Sequence, residues 1–263
     1  MDEIVRNAEM KIAIITGASS GMGREFALQM DLIFSNIDEF WLVARREKEL
    51  EELAGALLHP CRVFALDLTK MGQVERLEYA IKLEGAKVCV LVNCAGYGIM
   101  GPFAEASQRD TIGMIQTNCE ALTKLTHALI PHMIKNGRII QLASSAAFLP
   151  QADFAVYAAS KSYVLSFSRA LGMELKKRQI YVTAVCPGPV DTPFFEIAER
   201  TGTTLALKKK VMAQPEAVVA LALRDSYHRK SISVYGLPMK AFALVSKLLP
   251  HELILNVVEV LKK

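Results

Sequence analysis

The chain has 263 residues, 52% apolar and 22% charged, with a formal net charge of +4. That is the balance of a soluble protein with a large core, long enough for one α/β domain and too weakly basic to point to nucleic acid. Its five cysteines (Cys61, Cys89, Cys94, Cys119 and Cys186) lack the close pairing of a zinc site, and the odd count argues against a disulfide framework, so a reduced, cytoplasmic protein is expected.

The N-terminus, Met1-Asp2-Glu3-Ile4-Val5-Arg6, is charged and has no signal-peptide core, and no run of 18 apolar residues follows anywhere. Membrane association is therefore not expected. Residues 11–15 form an apolar, β-branched run that reads as a buried strand. Thr16-Gly17-Ala18-Ser19-Ser20-Gly21-Met22-Gly23 comes next and leads into a helical pattern from Arg24. Glycines between a strand and a helix permit a tight turn and let backbone N–H groups approach a pyrophosphate at the helix N-terminus.

Residues 40–44 are the second strand. An acidic residue at its end would bind the ribose hydroxyls of NAD, whereas arginine accommodates a 2′-phosphate. Here Ala44 takes the acidic position and Arg45-Arg46 follow, so NADP is favoured, with Arg45 the candidate contact and the part of Arg46 left open. A helix is expected over 46–58, a strand over 62–66 ending at Asp67-Leu68, and a helix over 71–83. The fourth strand, 88–92, runs into Asn93-Cys94-Ala95-Gly96, and a long helix over about 111–133 carries Asn118. A strand over 138–143 ends at Ser144, and a helix with Tyr157 and Lys161 runs to about Arg178. Strands over 181–185, ending in Pro187-Gly188-Pro189, and over 231–234 complete the set. Strands alternating with helices predict a doubly wound, Rossmann-type parallel sheet of about seven strands with helices on both faces, whose ligands bind beyond the carboxyl ends of the strands. Gly17, Arg45, Asp67, Asn93, Ser144 and Gly188 all fall at such ends.

Tyr157 and Lys161 are four apart on a helix and so share a face. A nearby ammonium favours the phenolate, making tyrosine a usable proton donor or acceptor. A serine hydroxyl brought to the same place can hydrogen-bond a carbonyl or alcohol oxygen. Together these groups move a proton on and off a C–O group.

In this order the motifs make residues 11–236 resemble the short-chain dehydrogenase/reductase family: the glycine turn, Asp67-Leu68, Asn93-Cys94-Ala95-Gly96, Asn118, Ser144, Tyr157-Ala158-Ala159-Ser160-Lys161 and Pro187-Gly188-Pro189-Val190-Asp191-Thr192. The resemblance implies a single NAD(P)-binding domain in which Tyr157 is the acid/base. Lys161 would hold the nicotinamide ribose and favour the phenolate. Ser144 would orient the substrate oxygen, and Asn118 would hold a water in the proton relay. It further implies that Gly17, Gly21 and Gly23 line the cofactor phosphates, that Asp67 faces the adenine and Asn93 the adenosine side, and that Val190 and Thr192 reach toward the carboxamide. Ser19, Ser20, Met22, Leu68, Ala95, Gly96, Pro187 and Gly188 complete the expected cofactor contacts. Ser145 is a second hydroxyl at the strand end, but Ser144 has the family's thirteen-residue spacing to the tyrosine. A homodimer or homotetramer is expected on the same ground.

Two departures stand out. Cys94 replaces a second asparagine, so packing is expected where that family has a structural hydrogen bond. Residues 31–39 lack the glycine that commonly precedes the second strand, which leaves that turn undefined.

Tyr97, Met100, Phe148, Pro150, Phe154 and the segment from Phe194-Phe195 to about Val211 suggest an apolar substrate pocket. Lys208-Lys209-Lys210 reads as a solvated cluster. Beyond Gly236, two amphipathic helical stretches flank Pro250 in an extension over 237–263. Core packing, a subunit contact and a lid near the substrate or a membrane surface are all open for it. The expected activity is NADP(H)-dependent interconversion of a ketone or aldehyde and an alcohol. The alternatives are a hydroxysteroid or hydroxylipid dehydrogenase, and a cofactor-binding regulatory protein without turnover.

Overall fold

The computed structural model describes residues 9–204 and 212–262, the last six of these by backbone alone. The N-terminal Met1–Arg6 segment, the Lys208–Lys210 cluster and the end of the expected substrate segment lie outside the described residues. The elements are β1 (Lys11–Thr16), α1 (Gly21–Ile33), β2 (Glu39–Ala44), α2 (Glu47–Ala54), β3 (Cys61–Ala65), α3 (Gln73–Glu84) and β4 (Lys87–Asn93). They continue with α4 (Gln108–Ile115), a π-helical turn (Gln116–Ala121), α5 (Leu122–Leu129), β5 (Met133–Leu142), α6 (Ala155–Glu174) and β6 (Tyr181–Val185). Helix α7 (Phe194–Ala198), α8 (Pro215–Tyr227), β7 (Ile232–Ser233), α9 (Leu237–Leu248) and α10 (His251–Lys262) follow.

The strands form one seven-stranded sheet in the order β3-β2-β1-β4-β5-β6-β7, every neighbouring pair parallel. Successive strand residues point to opposite faces, and both faces are buried. On one face Ala13, Ile15, Phe40, Leu42, Val90 and Val92 meet Phe26 and Met30 of α1, Leu50 and Leu53 of α2, and Val218, Val219 and Ala222 of α8. On the other, Ile12, Ile14, Trp41, Val43, Leu91 and Ile139 meet Leu77 and Ile81 of α3, Leu125 and Leu129 of α5, and Leu171 of α6. Each fully buried Phe, Leu or Met contributes roughly 1.5–3 kcal/mol.

The strand order reverses between β1 and β4. Crossovers leave in opposite directions there, so a crevice opens at the carboxyl ends of those strands. Gly17 follows β1 at φ +67, and a Cβ at that position would lie 2.9 Å from the Ala95 nitrogen after β4. The crevice is thus built around a contact only glycine allows.

Several boundaries differ from the sequence reading. Helix α2 stops at Ala54 rather than 58, capped at Gly55. The helix expected over 111–133 is three pieces: α4, the π-helical turn and α5. It ends in a short 3-10 turn at Pro131, whose ring removes a helix hydrogen-bond donor, and Met133 already opens β5. The turn before β2 needs no glycine, because no residue from 34 to 38 has a positive φ. The Asp38 amide donates to the Lys11 carbonyl at 2.7 Å, and the Lys11 amide donates back to the Asp38 carboxylate at 2.6 Å. The extension forms two helices on either side of Pro250. No helix among the described residues is long and apolar enough to cross a membrane.

Candidate functional site

A cleft of about 1330 Å³ runs along the carboxyl ends of the strands, from Asp67 and Arg45 at one end to Phe194 and Met239 at the other. At the first end the glycine turn enters α1. A Cβ on Gly23 would lie 2.3 Å from the Gly17 carbonyl oxygen, and Gly21, at φ +54, faces Thr192 across the cleft. Ser20 is the N-cap of α1, yet its hydroxyl does not cap the helix, and no acidic residue stands in the first turn. The opening amides of α1 therefore face the cleft without a side-chain acceptor, which favours an anion. Arg46 instead donates to the hydroxyls of Ser19 (3.0 Å) and Ser20 (2.8 Å), steadied by Glu49 at 3.5 Å. Of the two arginines, Arg46 is thus the one bonded to the turn, a role the sequence left open. Arg45 is exposed at the same cleft wall.

Asp67 and Leu68 line the cleft beyond β3. Burial raises the Asp67 carboxyl, but the Thr69 hydroxyl (2.6 Å) and amide (3.1 Å), with Arg45 and Lys70 nearby, hold it below its ordinary value. It is ionised at neutral pH and fixed in orientation. Ala95 and Gly96 line the cleft after β4, but Asn93 does not. Its amide is buried and donates to Thr126 (3.0 Å) and Gln141 (2.9 Å), so the side chain stitches β4 to β5 and α5. Asn93, expected along the adenosine side, thus has its side chain engaged inside the sheet, where an unpaired polar group would be costly. Cys94 is buried in the core beside α1, and the Thr16 hydroxyl receives the Cys94 and Ala95 amides, each at 3.1 Å.

The centre of the cleft holds Ser144, Tyr157 and Lys161. Ser144 leaves β5 in extended conformation and accepts the Ala146 amide at 3.1 Å. Its hydroxyl stands near enough to the Tyr157 phenol to favour the ionised form. Ser145 also lines the cleft, its amide tied to the Pro187 carbonyl at 2.8 Å. Tyr157 is stacked on Phe154, ring centroids 4.2 Å apart, and flanked by Phe194 at 5.4 Å. This burial pushes the phenol up to about 12, with the nearby Ser144 hydroxyl opposing it. Lys161 donates to the Leu142 carbonyl at 2.7 Å and lies 5.7 Å from the Tyr157 ring centroid. Burial pushes its ammonium down to about 8. The sequence argument had the lysine easing ionisation of the phenol; with the cleft's own groups alone, desolvation dominates and Tyr157 keeps its proton.

Asn118 lies in the π-helical turn, a feature that often marks functional sites. Its side chain is buried, outside the cleft lining. The amide donates to the Tyr97 carbonyl (2.9 Å) and the Ser160 hydroxyl (3.0 Å), and its oxygen accepts the Tyr97 amide (3.0 Å). It latches the segment after β4 to the helix carrying Tyr157 and Lys161. Pro187, Gly188, Val190 and Thr192 line the cleft beyond the neighbouring strand β6.

Of the substrate candidates, Tyr97, Phe154, Phe194 and Phe195 line the cleft, whereas Met100, Phe148 and Pro150 do not. Sequence reasoning did not single out Met239 and Phe242, which reach the cleft from α9, or Arg109 and Asp110, whereas Arg200 of the expected substrate segment does line it. Helical spacing of apolar residues in the extension was the one available signal, and it cannot say which side of the helix meets the body.

Residues 11–201 match the family model described as short chain dehydrogenase. An uncharacterised oxidoreductase of Staphylococcus epidermidis is 32% identical over 221 residues, covering 83% of this chain and 93% of that protein. Among solved structures, a short-chain dehydrogenase from Sphingobium yanoikuyae in complex with NADPH superposes with a TM-score of 0.75 at 27% identity, covering 86% of this chain and 88% of that one. The 3-ketoacyl-(acyl-carrier-protein) reductase of Brucella melitensis complexed with NADH gives 0.73 at 25% identity, over 86% and 96%.

Proposed function

The chain belongs to the short-chain dehydrogenase family of oxidoreductases, and from that premise we propose that it interconverts an apolar ketone or aldehyde and its alcohol with NADP(H). The observation that carries this reading is that Ser144, Tyr157 and Lys161 line one cleft whose far end is a glycine turn held by Arg46. The turn fits a dinucleotide: Gly17 and Gly23 pack backbone against backbone with no room for a side chain, and the uncapped start of α1 lines the cleft beside them. Gly17, Ser19, Ser20, Gly21, Met22 and Gly23 would hold its phosphates, and Asp67, Leu68, Ala95 and Gly96 its adenosine side. Arg45 and Arg46 favour a 2′-phosphate. Pro187, Gly188, Val190 and Thr192 would hold the nicotinamide end.

Bound NADPH supplies a hydride to the substrate carbon. The protein manages the oxygen. Tyr157 is protonated at neutral pH and donates its proton as negative charge develops on the carbonyl oxygen. Ser144 donates a hydrogen bond to the same oxygen and fixes its place. The Lys161 ammonium, anchored on the Leu142 carbonyl, stabilises the phenolate left behind. Asn118 acts here as a positioning residue, tying the Tyr97 backbone to Ser160, the neighbour of Lys161. Phe154 and Phe194 keep water from the phenol. The Brucella relative, bound to NADH and named for ketoacyl substrates, supports a carbonyl on an extended chain. A homodimer or homotetramer belongs to this reading, as does a cytoplasmic location, which five free thiols support.

The test follows absorbance of reduced nicotinamide with NADPH or NADH over a panel of ketones and aldehydes. Turnover that falls roughly 10²–10⁴-fold in Tyr157→Phe, with cofactor affinity kept, is the expected result. Near-normal rates in that variant remove Tyr157 from the chemistry. Cofactor binding without turnover on the whole panel would instead support a non-catalytic binding protein.

A further inference from the structure

We infer that α9 is the far wall of the substrate chamber, and that Met239 and Phe242 on its inner face set the length of apolar chain the site accepts. This rests on the reading that Ser144 and Tyr157 engage the substrate oxygen.

Helix α9 turns back over the cleft at Gly236, whose φ of +82 needs glycine, and Pro238 stands in its first turn. Met239, Phe242, Ala243 and Ser246 follow the i, i+3, i+4, i+7 spacing of one helical face, and Ser246 is the buried residue at its end. The opposite face is exposed: Leu237 at 81%, Leu244 at 57% and Leu248 at 69%.

The inner face is tied to two segments that flank Ser144. A Cβ on Gly188 would lie 2.7 Å from the Met239 sulfur, so Met239 rests directly on the loop after β6. Phe242 packs against Phe148, ring centroids 6.3 Å apart, and Phe148 closes the 3-10 turn (Ser145–Phe148) that begins beside Ser144. Both α9 side chains line the cleft. Phe154 and Phe194, which flank Tyr157, line the same cleft. A carbonyl held by Ser144 and Tyr157 therefore shares its cleft with a thioether and three aromatic rings. That lining suits a hydrocarbon chain or fused ring, and its depth ends at Met239 and Phe242. Methionine is unbranched and re-packs readily, which suits a wall met by substrates of more than one length.

The test is calorimetric titration of the cofactor-saturated protein with straight-chain 1-alcohols from butanol to dodecanol, alongside turnover of the matching carbonyls. The wild type should gain roughly fourfold in affinity per methylene up to a limiting length. Met239→Trp should shorten that limit by several carbons. Phe242→Ala should lengthen it and weaken binding of chains that reach the wall by roughly tenfold. Leu244→Ala, on the outer face of the same helix, should change neither. Circular dichroism identifies any variant that fails to fold, and the two inward variants provide independent readings. An unchanged limit in both, or no gain with length in the wild type, overturns the proposal. A shifted limit without turnover of any carbonyl leaves the wall standing and overturns the catalytic reading. Turnover with an unchanged limit does the reverse.

Discussion

The two ends of the cleft are built from different materials. The glycine-turn end is mostly backbone and strand termini: Gly17 against Ala95, Gly23 against Gly17, and helix amides with two hydroxyls drawn to Arg46. The aromatic end is mostly side chains, from Gly96–Tyr97, from Phe154, from α7 and from α9, which meet only in the folded chain. A Cβ at Gly17 or Gly23 would come within 2.3–2.9 Å of backbone, which leaves no room to yield, whereas aromatic and thioether groups re-pack. The first end suits a ligand that never changes. The second suits one that differs between relatives.

The contrast is broken most directly at Gly23. In Gly23→Ala the new Cβ meets the Gly17 carbonyl oxygen at 2.3 Å, so the turn itself must shift. Cofactor affinity, read by titration of NADPH fluorescence, should fall by about 10²-fold or more, the order expected when a positioning element moves by about an ångström. Truncation at the other end, Phe194→Ala, should leave cofactor affinity within about twofold and raise KM for apolar ketones about tenfold, since only one wall of a deformable chamber is lost. Equal loss of cofactor affinity in both variants would show that the two ends are not separate in material or in role.

Arg46 sharpens the comparison within the cofactor end. Arg46→Ala removes charge-assisted bonds worth about 1.5–3 kcal/mol, so affinity for NADPH should drop roughly 10–100-fold. Affinity for NADH should barely move if the arginine reads a 2′-phosphate. An equal drop for both cofactors would mean that Arg46 only braces the hydroxyls of Ser19 and Ser20. Arg45→Asp serves as the companion variant, and preference for NADPH unchanged in both would end the assignment of these arginines to the 2′-phosphate.

The same division explains what could be read from the sequence. The turn from Thr16 to Gly23 is contiguous, its glycines are required by local geometry, and it sits immediately after a strand. Strand ends such as Arg45, Asp67 and Ser144 follow from the strands themselves. What was not legible depends on long-range packing. Asn93 and Gln141 stand opposite one another in the β4–β5 register, and this pairing, closed by Thr126, turns the Asn93 amide into the sheet. The π-helical turn inserts one residue into a helix whose apolar spacing reads as continuous. Met239 and Phe242 needed Gly188 and Phe148, some fifty and ninety residues away, to show which face of α9 points inward.

Lys161 lies where the two ends meet, and the smallest effect predicted concerns the cost of burying it. Its folded ammonium is pushed by burial to about 8 from an ordinary 10.5, so between those values the unfolded chain binds more protons than the folded one. Stability of the cofactor-free protein should therefore rise with pH from about 8 toward about 10. Tyr157 opposes this only higher up: its folded phenol titrates near 12 against an ordinary 10, so its contribution is present below about pH 10 and is lost as pH climbs toward 12. Lys161→Met removes the first contribution and keeps the second. The thermal midpoint of the wild type, measured relative to that variant at about pH 7.5 and about pH 9.5, should rise by a few degrees across the interval. A flat difference would mean that Lys161 is as well solvated in the folded protein as in the unfolded chain. The cleft would then be wet at the point where the phenol must be kept dry.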